Sequence, residues 1–346
     1  MDVAHFYLDG NTDAVEFCPH SPYYHVLAAS TYTLHEGDQP SRLGSISLFT
    51  IDAEKCLLET SYCVETAGIF DIKWNPTGGN SGPLLAQADA DGFLRIHGLL
   101  SSSDGSQRFL LEEKNSLKVC SSMCLYLDWN CSGTDITVGL SDGSVAITSL
   151  AESHVELKHK WKAHDYELWT TSFDNHQPHL VYTGSDDCKF SGWDLREGTS
   201  KAAFHNSKAH KMGVCCIAKS PNDPNTLLTG SYDENLRHWD VRSISRPVNE
   251  VSLGLGGGVW RIKHHPFVPG LVLAACMHNG FAIVNIKGGE FEVIERYSKH
   301  ESLAYGADWH REEPIHGEES KNSLVATCSF YDRLLRIWRP QSNLYI

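Results

Sequence analysis

Short apolar segments that end in a turn recur along the whole chain. Apolar and polar residues alternate within them, which is the pattern of β-strands with one face against a core. The later segments are spaced by about 45 residues and the first two intervals are about ten residues longer, typical of one repeated unit with loop insertions. Seven segments share this form, and they end at Phe17, Trp74, Trp129, Phe173, Lys219, His264 and Trp309.

Each unit continues with a second strand, a turn that contains aspartate, and a third strand that ends in Trp-Asp in the clearest copies. The alternation and the turn residues predict β-hairpins. The clearest copies run from Gly184 to Asp194 and from Gly230 to Asp240, and an Ala-His pair precedes each. These units resemble the repeats of WD-repeat propellers, which carry a Gly-His and Trp-Asp signature.

Helical periodicity is almost absent, and every unit has room for four short strands. We therefore predict an all-β fold, a seven-bladed WD-repeat β-propeller that forms a single domain over residues 1–346. After Trp338 the seventh unit has too few residues for its fourth strand. Val3–Leu8, before the first unit, alternates like a strand. We expect this N-terminal strand to complete the last blade, because ring closure leaves only short, protected sheet edges.

Histidine, aspartate and tryptophan recur at fixed positions of the two clearest units. A buried imidazole or carboxylate must be paired, so we interpret these residues as a hydrogen-bonded scaffold, although histidine and aspartate together resemble half a catalytic triad. The two sets are His164, Asp187 and Trp193 in one unit and His210, Asp233 and Trp239 in the next.

The net charge of the chain excludes two classes of binding partner. With 43 acidic and 29 basic residues the net charge is −14, so neither nucleic acid nor an anionic membrane surface is expected to bind. The longest apolar run, near Leu271–Cys276, is far too short to span a membrane. The first residues lack the pattern of a secretory signal, and 11 cysteines in such a chain favour reduced thiols, so we expect a cytoplasmic protein. The cysteine and histidine spacings do not indicate zinc, and we expect no metal and no cofactor.

The sixth unit departs from the repeat. It has neither the Ala-His pair before it nor the Trp-Asp pair after it, and His278 stands at the turn position that neighbouring units give to Asp187 and Asp233. A histidine without the usual partners is a candidate for the opening where the turns of all blades converge. The structural alternative, a histidine that caps its own turn, stays open.

Aromatic and acidic residues occur together at the predicted turns and inner strands. Trp169 and Glu167 belong to the fourth unit, and Tyr305, Tyr331 and Asp332 belong to the last. Aromatic faces beside carboxylates suit a quaternary ammonium group, through cation–π and charge attraction. Packing inside the propeller is the alternative explanation for each residue taken singly.

Four segments are more specific than a generic WD repeat: Gly257–Lys263, Ala274–His278, Tyr305–Trp309 and Ala326–Asp332. In these segments the chain resembles the diphthine methyl ester hydrolase family, whose members are also called diphthine methyltransferases, of diphthamide biosynthesis. The resemblance implies an esterase that removes one methyl group from methylated diphthine, the modified histidine of translation elongation factor two. The elongation factor would then be the partner, and diphthine would pass to an amidating enzyme.

The resemblance assigns no catalytic residue, so the candidates come from the residues of this chain. Ester hydrolysis needs an activated nucleophile, a proton donor for methanol and stabilisation of the oxyanion. We expect His278 to be the general base, for water or for a nearby hydroxyl or thiol such as Ser329 or Cys276, with Asp332 orienting it or binding the cation. The trimethylammonium end would be held by four aromatic residues, Trp169, Trp260, Tyr305 and Tyr331.

Two functions without catalysis remain as alternatives. Arg196 and Arg242 end two W-D-x-R motifs, which WD-repeat substrate receptors use to dock on cullin-RING ubiquitin ligases. Arginines that only pair with neighbouring carboxylates would show the same pattern. The aromatic residues would also suit a reader of methylated lysine, which needs no base.

Overall fold

The computed structural model describes residues 1–78, 82–102, 108–151, 154–312, 323–342 and 344, and at Glu250 the backbone alone. Over these ranges every regular element is a β-strand. The described residues accordingly include no helix long and apolar enough to cross a membrane. The strands form seven sheets, and the predicted all-β, seven-bladed WD-repeat propeller is confirmed.

The sheets are the blades, numbered here in chain order. Blade 1 contains β2 (Thr12–Phe17), β3 (Val26–Thr31), β4 (Thr33–His35), β5 (Ser41–Asp52) and β6 (Leu57–Ala67). Blades 2 and 3 contain β7 (Ile69–Trp74), β8 (Leu84–Asp89), β9 (Phe93–Ser101), β10 (Phe109–Lys118), β11 (Cys124–Trp129), β12 (Asp135–Leu140), β13 (Ser144–Leu150) and β14 (Val155–Lys162). Blades 4 and 5 contain β15 (Thr170–Phe173), β16 (Leu180–Gly184), β17 (Phe190–Asp194), β18 (Phe204–Asn206), β19 (Val214–Lys219), β20 (Thr226–Ser231), β21 (Asn235–Asp240) and β22 (Val248–Gly254). Blades 6 and 7 contain β23 (Arg261–His264), β24 (Leu271–Ala275), β25 (Phe281–Lys287), β26 (Glu290–Tyr297), β27 (Ala304–Trp309), β28 (Val325–Ser329), β29 (Leu334–Trp338) and β1 (Asp2–Tyr7).

The inner strand of each blade lines the central axis, and neighbouring inner strands touch. The ring runs from β2 through β7, β11, β15, β19 and β23 to β27, which contacts β2 again. Apolar side chains fill the spaces between blades: Ile96 of blade 2 packs in one cluster with Trp129 of blade 3, and Leu27 of blade 1 packs with Ile337 of blade 7. Burying one large apolar side chain stabilises the fold by about 1.5–3 kcal/mol, so the blade interfaces form the core.

The N-terminal strand closes the propeller. β1 pairs with β29 in antiparallel fashion, with Phe6 opposite Leu335. Asp2 fixes the start of the strand, because it accepts hydrogen bonds from the hydroxyl of Tyr297 at 2.7 Å and from the ammonium of Lys299 at 2.7 Å. Closure by the N-terminal strand is thus confirmed, with the strand beginning one residue earlier than the alternation predicts.

Blade 4 contains the predicted hydrogen-bonded scaffold. The Nδ1 atom of His164 lies 3.1 Å from both carboxylate oxygens of Asp187. The opposite ring nitrogen is hydrogen-bonded to Thr183 at 2.8 Å, and Thr183 also accepts from the Trp193 indole at 2.9 Å. The set joins the loop before the blade to its second and third strands.

Blade 5 uses the same positions with an arginine inserted. Thr229 joins His210, at 3.2 Å, to the indole of Trp239, at 2.8 Å. Asp233, however, is bound by both terminal nitrogens of Arg237, at 2.9 and 2.8 Å, and Arg237 also lies 3.1 Å from His210. The aspartate therefore reaches the histidine only through the guanidinium.

Blade 7 contains a third set, which includes Asp332. His300 is hydrogen-bonded to Ser329 at 2.5 Å and to Thr327 at 2.9 Å. Ser329 donates to Asp332 at 2.5 Å, and the Trp338 indole donates to Thr327 at 3.2 Å. Asp332 thus lies at the scaffold position that Asp187 occupies in blade 4.

The buried scaffold histidines should make the protein less stable in mild acid. Burial lowers the pKa of His210 to about 3, whereas an unfolded histidine titrates near 6.5. The unfolded chain therefore binds one more proton than the folded chain between these values, so the free energy of unfolding falls as the pH drops below about 6.5, by up to about 1.4 kcal/mol per pH unit.

Urea unfolding between about pH 7 and pH 5 measures this slope. We expect His210→Asn to have a slope smaller by about one proton, and the exposed His159→Asn to keep the parent slope. Equal slopes in His210→Asn and the parent would contradict the explanation.

Candidate functional site

The closed ring brings one residue of every blade to the mouth of the central channel. This residue lies four positions before the end of each repeated apolar segment, where the inner strands begin. In five blades the register against the second strand shifts there, a bulge-like irregularity that re-aims a side chain. We call these residues the rim ring: Asp13, Phe70, Leu125, Trp169, Cys215, Trp260 and Tyr305.

Six aromatic rings form a continuous arc around this mouth. The ring of Trp260 is 5.7 Å from that of Trp169 and stacks on Tyr305 at 4.7 Å. The ring centre of Phe330 lies 5.1 Å from that of Tyr305 and 6.4 Å from that of Tyr32. Tyr32 lies 4.6 Å from Phe70. We call these residues the aromatic arc: Trp169, Trp260, Tyr305, Phe330, Tyr32 and Phe70.

Two further tyrosines flank the aromatic arc. Tyr232 lies 6.0 Å from Trp260, and Tyr331, which is 69% exposed, packs edge-on against Phe330 at 5.0 Å. Of the four aromatic residues predicted from the sequence, three thus belong to the arc and Tyr331 lies on its outer side.

The indole nitrogens of Trp169 and Trp260 have different surroundings. The indole nitrogen of Trp169 donates to Asp186 at 3.1 Å, at the exposed side of the site. The indole nitrogen of Trp260 is buried, and it finds no acceptor among the described residues. The arc therefore has one tryptophan held by a surface carboxylate and one held by ring stacking.

His278 lies on the turn between β24 and β25, at the same face as the arc. The preceding Met277 has a φ of 39°, a left-handed conformation that costs energy for a residue with a side chain. The carbonyl of Met277 accepts a hydrogen bond at 3.0 Å from Ala304, the residue before Tyr305. His278 itself is exposed, and within the described part of the chain it has no hydrogen-bond partner.

The other residues considered for catalysis are engaged or buried. Asp332 is bonded to Ser329 in the blade 7 scaffold and accepts at its second oxygen from the backbone of Glu301 at 3.0 Å. The described residues show no contact between Asp332 and His278. Ser329 and Cys276 are fully buried, and burial raises the pKa of the Cys276 thiol to about 12.

An ion pair closes the channel beneath the rim ring. Arg261 follows Trp260 in blade 6 and reaches across to Asp71 of blade 2, at 2.8 Å, with both side chains buried. The guanidinium also lies 5.7 Å from the ring centre of Tyr126 in blade 3. Burial opposes ionisation, but the attraction of Asp71 and Tyr126 holds the pKa of Arg261 above its usual range. The site is therefore open on one side and closed below by a paired charge.

More ion pairs follow further along the inner strands. Lys73 of blade 2 contacts Asp128 of blade 3 at 3.0 Å, and Lys263 of blade 6 is bound to Glu16 of blade 1. The first pair links neighbouring blades, and the second links two blades that are separated by blade 7. They keep the channel below the site filled with paired charges.

One acid of the rim ring stands apart from these pairs. Asp13 is 3% exposed, and its Oδ1 atom has no hydrogen-bond partner among the described residues. Burial raises the pKa of Asp13 to about 8, although the charge of Arg261 acts in the opposite direction. Asp13 is not among the site residues predicted from the sequence, and neither are Tyr32, Phe70 and Phe330.

The two W-D-x-R arginines lie at the opposite face, where the third strands end. Arg196 forms a bidentate pair with Asp194 at 3.0 and 2.7 Å, and Arg242 contacts Asp240 at 2.7 Å. Each arginine thus pairs with the aspartate of its own motif. No group of three or more histidine, cysteine, aspartate or glutamate side chains in the described ranges is arranged to hold a metal ion.

Comparison with known proteins identifies the family. Residues 202–240 match the family described as WD domain, G-beta repeat. A protein of Dictyostelium discoideum named diphthine methyltransferase homolog is 33% identical over 96% of this chain and 98% of its own length. The chain belongs to the diphthine methyltransferase family. The human diphthine methyltransferase is 35% identical over 86% of this chain and 72% of its own length.

A solved structure supports the fold alone. A chain of the crystal structure of the mitotic checkpoint complex superposes with a TM-score of 0.71 at 15% identity, over 97% of this chain and 90% of that chain. The resemblance to the diphthine methyltransferase family, inferred from the segments around Trp260, His278, Tyr305 and Asp332, is confirmed.

In this member of the diphthine methyltransferase family, the ion pair beneath the site should be a large contributor to stability. Arg261→Met leaves Asp71 buried without its partner, and breaking a buried pair in this way costs roughly 3–5 kcal/mol. Urea unfolding measures the change.

Arg196→Met is the matched control, because Arg196 is an exposed arginine in a pair with Asp194. Exposed pairs contribute little, so this variant should unfold like the parent. Equal unfolding midpoints for the two variants would show that the pair across the channel is not what holds the inner strands.

Proposed function

We propose that the chain hydrolyses the methyl ester of methylated diphthine on translation elongation factor two. Water adds to the ester carbonyl carbon, the bond from that carbon to the methoxy oxygen breaks, and the methoxy group takes a proton and leaves as methanol. The product, diphthine, is the substrate for amidation to diphthamide. Relatives carry a name that states methyl transfer, and the proposal concerns removal of a methyl group from the same modified residue.

The observation that carries the proposal is the aromatic arc at the mouth of a closed channel. The trimethylammonium end of diphthine is a quaternary ammonium, which aromatic faces bind by about 0.5–2 kcal/mol for each well-placed ring. Trp169, Trp260 and Tyr305 offer their rings at one opening, in a chain with a net charge of −14. Because the Arg261–Asp71 pair closes the channel below, the site suits a side chain that a large partner inserts from one side.

His278 is the proposed general base. It is exposed on a turn whose preceding residue is hydrogen-bonded to the start of β27, next to Tyr305. An exposed imidazole can take a proton from water at neutral pH. Water is the preferred nucleophile of the proposal, since Ser329 and Cys276 are buried.

Asp332 and Tyr331 receive supporting roles in the proposal. The hydrogen bonds of Asp332 to Ser329 and to the backbone of Glu301 hold the turn that carries Phe330 and Tyr331. Tyr331 is exposed at the outer side of the arc, where it would contact the protein substrate. The reaction would take place in the cytoplasm, where translation occurs, and it needs no cofactor.

The decisive experiment follows the mass of the modified histidine. Elongation factor that carries methylated diphthine is incubated with the purified chain, with and without S-adenosylmethionine. Loss of the mass of one methylene group without the donor supports the proposal. A gain of that mass which requires the donor would contradict hydrolysis and support methyl transfer.

An unchanged mass with the factor still bound would instead favour an adaptor. That reading rests on Arg196 and Arg242 as a docking surface for a ubiquitin-ligase adaptor. Both arginines are exposed but paired with their own aspartates, so the observations favour the esterase.

His278→Ala should lower kcat for methyl ester hydrolysis by about 10²–10⁴-fold, because a positioned base contributes that much to the rate. KM should change little, since the aromatic arc is intact. The same change at an exposed histidine of the outer strand β14, His159→Ala, should leave kcat unchanged. Full activity of a folded His278→Ala variant would remove His278 from the mechanism.

A further inference from the structure

Asp13 departs from the chemistry of its six equivalents in the rim ring. The equivalents are apolar, aromatic or a thiol, namely Phe70, Leu125, Trp169, Cys215, Trp260 and Tyr305. A carboxylate in this ring lies at the mouth of the channel, between the neighbouring inner strands of blades 7 and 2. Among the seven residues of the rim ring, Asp13 is the carboxylic acid.

The inner strands of blades 1 and 7 are in close contact beside Asp13. A methyl group placed on Gly306, the residue after Tyr305, would come within 2.9 Å of the backbone nitrogen of Val15, so a glycine is required for this approach. Burial raises the pKa of the Tyr305 hydroxyl, and the charge of Asp13 acts in the same direction. Asp13 therefore lies within electrostatic reach of the aromatic arc.

The arginine beneath the rim ring already has an anionic partner. Arg261 is 2.8 Å from Asp71, and its pair is buried. Asp13 is nine-tenths buried or more, yet its Oδ1 atom has no donor within the described residues. A buried carboxylate without a partner is costly, and a cation at the mouth of the channel would supply the missing charge.

We propose that Asp13 is the anionic partner of the aromatic arc, and that its carboxylate binds the positive charge of a quaternary ammonium group seated on Trp260 and Tyr305. The assignment rests on the proposed function, because it places the trimethylammonium end of diphthine at this position. A quaternary ammonium has no N–H to donate, so it interacts through charge and aromatic contact alone. This matches a carboxylate oxygen without a hydrogen-bond donor beside stacked rings.

Of the charged and titratable groups near Asp13, Asp13 itself is the one expected to change its protonation state between pH 7 and pH 9. The neighbouring groups are Arg261, Asp71, Tyr305, Tyr232 and Cys328. Arg261 keeps its charge and is paired with Asp71. Burial raises the pKa of Cys328 to about 12 and raises the pKa of both tyrosines further above their usual value.

Cation binding should therefore strengthen as Asp13 loses its proton. With burial raising its pKa to about 8, a ligand that binds the ionised form alone binds about tenfold more tightly at pH 9 than at pH 7. The tryptophan fluorescence of the arc reports binding of the probe, choline, at constant ionic strength. The uncharged probe is the alcohol in which a tert-butyl group replaces the trimethylammonium group.

Asp13→Asn tests the assignment, because asparagine has the shape of the protonated acid and should fold. We expect this variant to lose the pH dependence, to bind choline more weakly than the parent at pH 9 by a factor of at least about ten, and to keep the parent affinity for the uncharged alcohol. Asp165→Asn is the matched control: it removes one carboxylate from an exposed loop of the same face and should behave like the parent. Equal affinities of the parent for the two probes, or a pH dependence that survives in Asp13→Asn, would overturn the proposal.

The ester assay separates this proposal from the function on which it rests. If the parent hydrolyses the ester, Asp13→Asn should raise KM at pH 9 by a factor of at least about ten, with a smaller change in kcat. An unchanged KM would overturn the role of Asp13 while the hydrolase stands. If the parent does not hydrolyse the ester, choline binding that depends on Asp13 still supports the cation site, and the proposed function fails alone.

Discussion

The closure of the ring of inner strands is the constraint on which the rest of the structure depends. One short stretch of chain serves two blades, because β1 completes blade 7 and β2, which follows it, is the inner strand of blade 1. β2 then contacts both β27 and β7. A closed ring sets the distance of every inner strand from the axis, so the first residues of seven strands meet at one opening. Four of the six rings of the aromatic arc come from these positions, in blades 2, 4, 6 and 7.

The charged residues inside the channel determine the side from which a ligand can reach the site. Arg261 and Asp71 join opposite blades below the opening, and the pairs of Lys263 and Lys73 continue this pattern along the inner strands. Opposite charges neutralise one another in these pairs, whereas an isolated buried charge would destabilise the fold by several kcal/mol. Asp13 is the exception at the level of the arc, where an incoming cation would replace the missing partner.

Blade 6 shows how a blade without the histidine scaffold is held. Leu255 is fully buried where other blades place histidine, and its carbonyl accepts from Asn279 at 2.6 Å and from Arg296 at 3.1 Å. These bonds fix the turn through the backbone, so the side chain of His278 is not needed for the fold. The left-handed Met277 beside it fits the general finding that strained residues occur near functional sites.

The sequence by itself determined the seven repeats, the closing strand and the scaffold around His164 and Asp187, because these follow from short periods and from contacts within one blade. It also indicated Trp169, Trp260 and Tyr305. Only the tertiary structure decided that Asp332 bonds within the scaffold of His300, and that Asp13 belongs with the arc. Asp13 and Tyr305 are far apart in the chain, and their strands come together only when the ring closes, so no local pattern reports this proximity. The equal spacing of the rim ring before each segment end is a sequence signal, but its meaning depends on knowing that those positions converge.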